Sequence, residues 1–594
     1  MKLQALIFPM LFLFVFSASC SDASGDFAEE NSSAAPAESR PEDEPGAFVP
    51  DPDGPEEYAG GFTKGQRQSD AAMIVGILER GYAPRAWKEE FLGLSFEEIS
   101  RKFFGRAGER IDDLAFYEEI ARYLVSFKDS HIFFSFPSNA IAKLPFEIEE
   151  YEGRFFVASV DMKQMPEGIS LEVGDEILSL CGRSPEDERA ELLEYLGEGN
   201  PRTAERFATA MLTSRRQSSL PRLPDGACEI AVAVRGDGTV RNISLEWERK
   251  GDELAELNDP GISLGGGKAA GLRRAHDRIS PLERLRNWES GHGKAGDYLK
   301  IGMPDTFVPL PESFISRKER PFPTGVMEMG GRKVGYLRIH TYSQQKISFS
   351  DALSELEEEI AFFEDNTDAL VIDQTANGGG SLCFGWMIAS FFFAEPVEPM
   401  KASLRANRYS FVEWESYLRD ENLPPEDLAV LERIVDGMRV SMKRGDLLTE
   451  PIDPCSLSGT IEPYTGRDGK NILYTKPVLI LVDELSISCG DAFPAQMQDS
   501  GRATIFGART AGAGGAIKVL EERFGYSEIQ MSYTLSLGVR TAEVALADGK
   551  KTRFIENVGA LPDVPYAVTS DDFLNGYRGY AQAMEGAVSG LFDR

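Results

Sequence analysis

The stretch KPVLILVDELSISCGDAFPAQMQDSGRATIFGARTAGAGG, Lys476 to Gly515, has the fewest structural options in this chain. Pro477 to Val482 is an apolar run that stops at Asp483-Glu484, and it reads as a fully buried strand. Ser486 and Ser488 follow at once in SISCGD, the pattern turns helical from Asp491 to about Gln498, and RATIFG reads as a second strand. TAGAGG closes the stretch with a turn that no β-branched residue could follow. A serine between the carboxyl end of a buried strand and a helix start sits where open α/β sheets place their chemistry. The N–H groups of that helix start can stabilise a developing oxyanion. Serines also cap helices well, so this stretch alone leaves both readings open.

The residues before it carry the same alternation. KVGYLRIH (Lys333–His340) reads as a strand, DALSELEEEIAFFED as a helix and ALVIDQT (Ala369–Thr375) as another buried strand. ANGGGSLCFGWMIASFFF follows, a glycine loop at Gly378 to Gly380 opening an apolar helix. Strands alternating with helices argue an α/β arrangement. The glycine loop serves either as a tight strand-to-helix turn or as a source of N–H donors.

At 594 residues the chain exceeds one core and should hold about three or four domains. Residues 1–20 read as a lipoprotein-type signal: Lys2 is positive, Leu3 to Phe16 is almost wholly apolar, and small residues lead to Cys20. Ser17 stands where leucine is usual in such signals, and an ordinary cleaved secretory signal is the alternative; both export the protein from the cytoplasm, to a bacterial cell envelope in the lipoprotein case. Residues 21–61 are rich in Asp, Glu, Pro, Ser and Ala and read as a disordered acidic tether. Residues 62–143 read as an N-terminal helical subdomain, from AAMIVGILERG, LSFEEISRKFFG and DLAFYEEIARYLVSF. Its end, KDSHIFFSF, places His131 between a polar turn and a strand-like run.

In residues 144–248, FEIEEYEGRFFVASV suggests a hairpin, and ISLEVGDEILSLCGRSPED resembles a PDZ domain. Such domains bind peptide C-termini by adding a strand to a sheet edge. Residues 249–325 are Gly-rich and basic without periodicity and read as a connecting segment. Residues 326–594 read as one α/β core that carries both the glycine loop and SISCGD, the candidate catalytic unit.

A net charge of −33 argues against nucleic acid or anionic membrane as main partner. With Cys20 lipidated, Cys181, Cys228, Cys383, Cys455 and Cys489 remain, without CxxC spacing. No metal site and no cofactor is expected, and one disulfide, its pairing open, is compatible with an oxidising compartment.

The order of PDZ-like unit, VGYLRI strand, NGGG loop and VDELSISCGDAFPAQMQDSGRATIFGARTAGAGG resembles the S41 peptidases, the C-terminal processing or tail-specific proteases. FIENVGALPD (Phe554–Asp563) matches that family's closing segment. The resemblance implies an α/β fold with an S41-type core of mixed strands and helices (ClpP/crotonase-like β-α units), an N-terminal helical subdomain and a PDZ-like domain. It implies Ser488 as nucleophile, Ser486 as its non-catalytic neighbour, Asp499 and Arg502 as structural residues, and an oxyanion site from the N–H groups of Cys489 and the Gly379–Gly380 turn. Tail-specific members carry a lysine base where this chain has Ala513. The branch that includes the chlamydial protease-like activity factor, similar to this chain in DAFPAQMQD and TAGAGG, uses histidine and glutamate instead. Asp129-Ser130-His131 and Glu556 fit those positions.

The expectation is a serine endopeptidase of the cell envelope acting on proteins or peptides, touching a membrane only through its anchor, with self-association open. A catalytically inactive PDZ-type scaffold and an apolar small-ligand binder on the same fold are the alternatives. Lipidation has its own test: wild type should partition into detergent and Cys20→Ala into the aqueous phase. Equal aqueous recovery of both would rule the anchor out.

Overall fold

The structure is a computed structural model and describes residues 61–254, 305–343, 347–419, 425–546 and 548–593. The signal, nearly all of the tether, Cys20 and most of the connecting segment lie outside these residues.

Four helices open the described chain: α1 (Lys64–Gly81), α2 (Arg85–Leu92), α3 (Phe96–Ala107) and α4 (Asp113–Val125). Thr63, Ser95 and Asp112 cap three of them with side-chain oxygens. Helix α2 is the one that periodicity overlooks, because RAWKEEFL is only two turns long between Pro84 and Gly93. These helices do not form a core of their own. Ile74, Leu78, Phe116 and Ile120 share one with Leu404, Ile434 and Met438, and with Ile529 and Met531 from far along the chain. Phe134–Ser135, just after His131, pairs antiparallel with the strand Ile529–Thr534.

The PDZ-like unit is a five-stranded antiparallel sheet with helices α5 (Pro185–Leu192) and α6 (Pro201–Met211). Its first hairpin turns at Glu152-Gly153, both at positive φ (56° and 77°), the left-handed pair a two-residue hairpin turn requires. A disulfide joins Cys181 to Cys228 in this unit, and a second joins Cys383 to Cys455. Two bridges therefore form where the sequence allowed for one, and Cys489 is left free and buried.

The core is a seven-stranded sheet whose spatial order is its chain order: β1 (Ile315–Lys318), β2 (Thr324–Met329), β3 (Arg332–Arg338), β4 (Ala369–Asp373), β5 (Val478–Val482), β6 (Thr504–Gly507) and β7 (Val564–Pro565). The edge β1–β2–β3 is antiparallel and β3 to β7 run parallel. Alternate residues feed two cores, as the two-residue period of a strand demands. Leu370, Ile372, Val478, Ile480 and Val482 face α7 (Phe349–Asn366), α8 (Leu382–Ala389) and α9 (Cys489–Asp499). Ala369, Val371, Leu479 and Leu481 face α10 (Arg578–Gly590).

The carboxyl end of β4 is held by a buried ion pair. Arg338 and Asp373 meet at 3.1 Å with side chains 1% and 0% exposed. Arg338 also donates to the Thr375 carbonyl at 2.7 Å, and Tyr336 Oη donates to Asp373 at 2.7 Å. This network fixes the backbone two residues before Asn377. Arg338→Met would leave Asp373 buried without its cation, so the unfolding midpoint in urea should fall by the equivalent of about 3–5 kcal/mol. An unchanged midpoint would show that the pair does not anchor the strand end.

Candidate active site

The chain leaves β5 through Asp483 and enters α9 at Cys489, with Ser488 as the residue before the helix. Ser488 holds φ 61° and ψ −115°, a conformation that an L residue reaches only under strain. Of the consecutive residues Val478 to Met497, it alone is not buried. Ser486 is its opposite. Fully buried, it donates to the Gln374 carbonyl at 3.0 Å and contacts Asp483 Oδ1 at 3.2 Å, so its hydroxyl is committed to joining β4 and β5. The geometry thus separates the two serines into one that ties strands and one that faces outward.

Cys489 does not compete with Ser488. Its thiol is buried, lies 3.4 Å from the Ser381 carbonyl, and is pushed well above the ordinary thiol range by burial and by the Asp491 carboxylate. The protonated sulfur is a poor nucleophile.

The glycine loop after β4 packs directly on this turn. The Asn377 carbonyl accepts the Ile487 N–H at 2.9 Å. Gly379 has φ 88°, and a Cβ there would lie 2.6 Å from the Ile487 carbonyl oxygen, 2.7 Å from Ser488 Cβ and 3.0 Å from the Cys489 nitrogen. The two candidate oxyanion donors of this loop differ. The Gly379 N–H donates to Asn377 Oδ1 at 2.8 Å, which removes it from the donor set expected from the sequence. Among the described residues the N–H groups of Gly380 and Cys489 have no such partner.

His131 lies elsewhere in the chain, buried on the loop after α4. Its N–H donates to Asp129 Oδ1 at 2.8 Å and its carbonyl accepts the Ser532 hydroxyl at 2.8 Å. Asp129 Oδ2 accepts the hydroxyls of Tyr82 (2.7 Å) and Thr534 (2.8 Å). The ring Nδ1 has no partner among the described residues. Burial lowers the His131 pKa below the ordinary histidine value; the Asp129 charge opposes this and Lys88 adds to it.

Glu556 is fully buried and belongs to the same cluster, but no hydrogen bond joins it to the His131 ring. Its Oε1 pairs with Lys88 Nζ and its Oε2 accepts the Gly514 N–H at 3.0 Å. Burial, followed by the Asp129 charge, pushes the Glu556 carboxyl up to about 7, against the pull of Lys88 and the Gly514 N–H. No motif marks Lys88 or Tyr82 in the sequence. RAWKEEFL carries no signal that sets Lys88 apart, and only tertiary packing buries it to 1% exposure.

The turn Thr510–Gly515 stands between the serine and the histidine cluster. On one side Asp491 accepts the Thr510 hydroxyl, the Gly512 N–H at 2.7 Å and the Ala513 N–H at 3.1 Å. Ala511 N–H donates to the Ser486 carbonyl at 3.0 Å on that same side. On the other side Gly514 meets Glu556, and Asn557 N–H donates to the Gly512 carbonyl at 2.7 Å. The Ser488 hydroxyl and the His131 ring share no hydrogen bond in this structure. Lys518, the nearest lysine in sequence to Ala513, pairs instead with Glu413 at 2.5 Å. Asp499 pairs with Arg540, and Arg502 donates to the carbonyls of Phe392, Tyr474 and Lys476, so both serve the fold.

The PDZ-like unit also reaches the site. Thr203 Oγ1 donates to the Glu484 carbonyl at 2.5 Å, Arg206 pairs with Glu484 at 3.0 Å, and Phe207 packs on Leu485 and Ile487. Asn200 donates to the carbonyls of Arg509 (3.0 Å) and Thr510 (3.1 Å).

Residues 333–566 match peptidase family S41 and residues 140–257 match a PDZ domain. A protein of Chlamydia trachomatis serovar D is 27% identical over 569 residues, covering 87% of this chain and 90% of its own length. An uncharacterized protein of Chlamydia muridarum is 26% identical over 569 residues with the same shares. Among solved structures, mature CPAF superposes with a TM-score of 0.71 at 26% identity, covering 89% of this chain and 98% of that one. Mature CPAF complexed with lactacystin gives a TM-score of 0.69 at 26% identity, with 89% and 99% covered.

Gly379→Ala tests how closely the two loops must approach. The added methyl has to displace the Ile487–Cys489 backbone, so covalent labelling of Ser488 by a fluorophosphonate should slow by on the order of 10²–10³-fold, the scale of a lost oxyanion donor. Labelling at the wild-type rate would show that the loop does not shape the serine turn.

Proposed function

The chain is a serine-type peptidase whose residues 333–566 form a family S41 catalytic domain, and on that premise we propose that it is an endopeptidase acting through an acyl-enzyme on Ser488, with His131 as general base and Glu556 supporting the base. The observation that carries this reading is the strained, partly exposed Ser488 at a strand-to-helix turn, beside N–H groups of Gly380 and Cys489 that have no partner among the described residues.

In this mechanism Ser488 Oγ attacks the scissile carbonyl carbon as His131 takes its proton. The carbonyl oxygen becomes an oxyanion facing the N–H groups of Cys489 and Gly380. Collapse breaks the C–N bond, and His131 returns the proton to the leaving amine. Water, activated by the same imidazole, then attacks the ester and frees Ser488. Peptide binding has to bring the ring and the hydroxyl within hydrogen-bond reach, since such contacts tighten in the Michaelis complex. The contacts of α6 with Glu484 and with the Arg509–Thr510 carbonyls support a role for the PDZ-like unit in presenting a peptide tail to the site or covering it. The N-terminal pattern ending at Cys20 supports an exported, lipid-anchored enzyme held off the membrane by its acidic tether. The inactive scaffold and the apolar-ligand binder have no observation in their favour.

His131→Ala should cost on the order of 10²–10⁴-fold in hydrolytic rate, and Lys518→Ala far less. The base works only when neutral, and burial holds His131 below the ordinary value of about 6.5. The rate should therefore hold its plateau down through pH 6.5 and fall only at lower pH. A folded His131→Ala with wild-type turnover would refute the assignment of the base.

A further inference from the structure

Lys88 is a buried cation of this site for which the hydrolytic steps have no use. It lies on α2, 1% exposed, and a buried ammonium carries a desolvation cost that a fold does not meet without compensation. Its bonds are specific. Nζ pairs with Glu556 Oε1 and donates to the Lys128 carbonyl at 2.7 Å. Lys128 (φ 50°) immediately precedes Asp129 on the His131 loop, and its carbonyl also accepts the Asn557 side-chain N–H at 2.8 Å. Trp87, the neighbour of Lys88, donates its indole N–H to the Glu556 carbonyl at 3.0 Å. Helix α2 thus ties the histidine loop to the Glu556–Asn557 segment.

We propose that Lys88 is a positioning residue of the peptidase site: it clamps the His131 loop to Glu556 and places a positive charge that opposes protonation of the ring. This rests on the reading of His131 as general base.

The charged groups that act on the His131 ring are Asp129 on its own loop, which favours the imidazolium, and Lys88 from α2, which opposes it in the same direction as the larger effect of burial. Glu556 from the C-terminal segment is engaged by Lys88 and the Gly514 N–H, and the Tyr82 and Thr534 hydroxyls are engaged by Asp129. Removing the Lys88 charge leaves Asp129 less opposed, so the imidazolium is held more firmly and the ring keeps its proton at higher pH.

The test is the pH dependence of fluorophosphonate labelling of Ser488 in the full chain, for wild type, Lys88→Met, Lys88→Arg and His131→Ala. Lys88→Met should label more slowly, by on the order of 10²-fold for a displaced base. Its acid limb should move upward by at least about half a pH unit. Lys88→Arg, which keeps the charge, should hold the limb at the wild-type position. A wild-type limb in Lys88→Met, or an equal upward shift in Lys88→Arg, overturns the proposal. If His131→Ala labels like wild type, the base assignment fails and takes this role with it. If His131→Ala is inert while Lys88→Met keeps the wild-type limb, only the role of Lys88 fails. Should Lys88→Met not fold, NMR on the wild type decides. The Lys88 ammonium resonance must titrate with the His131 midpoint, and a resonance indifferent to that midpoint overturns the proposal.

Discussion

The contact on which the candidate site depends is the insertion of the Thr510–Gly515 turn between the α9 start and the Glu556 segment. A Cβ on Gly514 would lie 1.6 Å from Ile555 Cγ2 and 2.8 Å from the Glu556 nitrogen, so only glycine lets the two backbones approach this closely. On the opposite side the turn's N–H groups are collected by Asp491, whose carboxyl burial raises to about 7 while the hydroxyl of Thr510 and the amides of Gly512 and Ala513 pull it back. One short backbone segment therefore sets the position of the Ser488 turn and of Glu556 together. Ala513, which in sequence stands where the tail-specific proteases this chain resembles carry a lysine, packs among Leu485, Ile487 and Phe207.

The remaining groups come from two kinds of support. The serine turn and the glycine loop hang from the ends of β4 and β5, which are buried throughout and braced by Arg338–Asp373 and Ser486. The histidine side is built from elements remote in sequence: the connection after α1, helix α2, the loop after α4, and the strand Ile529–Thr534. These share a core of Phe116, Ile120, Ile529 and Met531, so His131 is placed by long-range packing rather than by the central sheet. The PDZ-like unit adds a third support through α6, whose contacts at Glu484 and Thr510 touch the residues on both sides of the serine turn.

Much of this was legible in the chain itself. Local chemistry determined the buried strands, the glycine loop and the TAGAGG turn, because an apolar run flanked by turn residues has few alternatives and positive φ demands glycine. The pattern of SISCGD after a buried strand left capping and chemistry both open, the S41 resemblance pointed to Ser488, and the hydrogen bonds that commit Ser486 exist only in the folded strands. Tertiary structure alone decided the rest. It committed the Gly379 N–H, a candidate oxyanion donor, to the Asn377 side chain, which turns back to accept it. It paired four cysteines across separations of 47 and 72 residues. It buried Lys88, which in RAWKEEFL is indistinguishable from a solvent-facing helix residue. A side chain's charge and local periodicity are written in its neighbours along the chain, whereas its dielectric surroundings and partners, here Glu556 lying 468 residues away, exist only once the chain has folded.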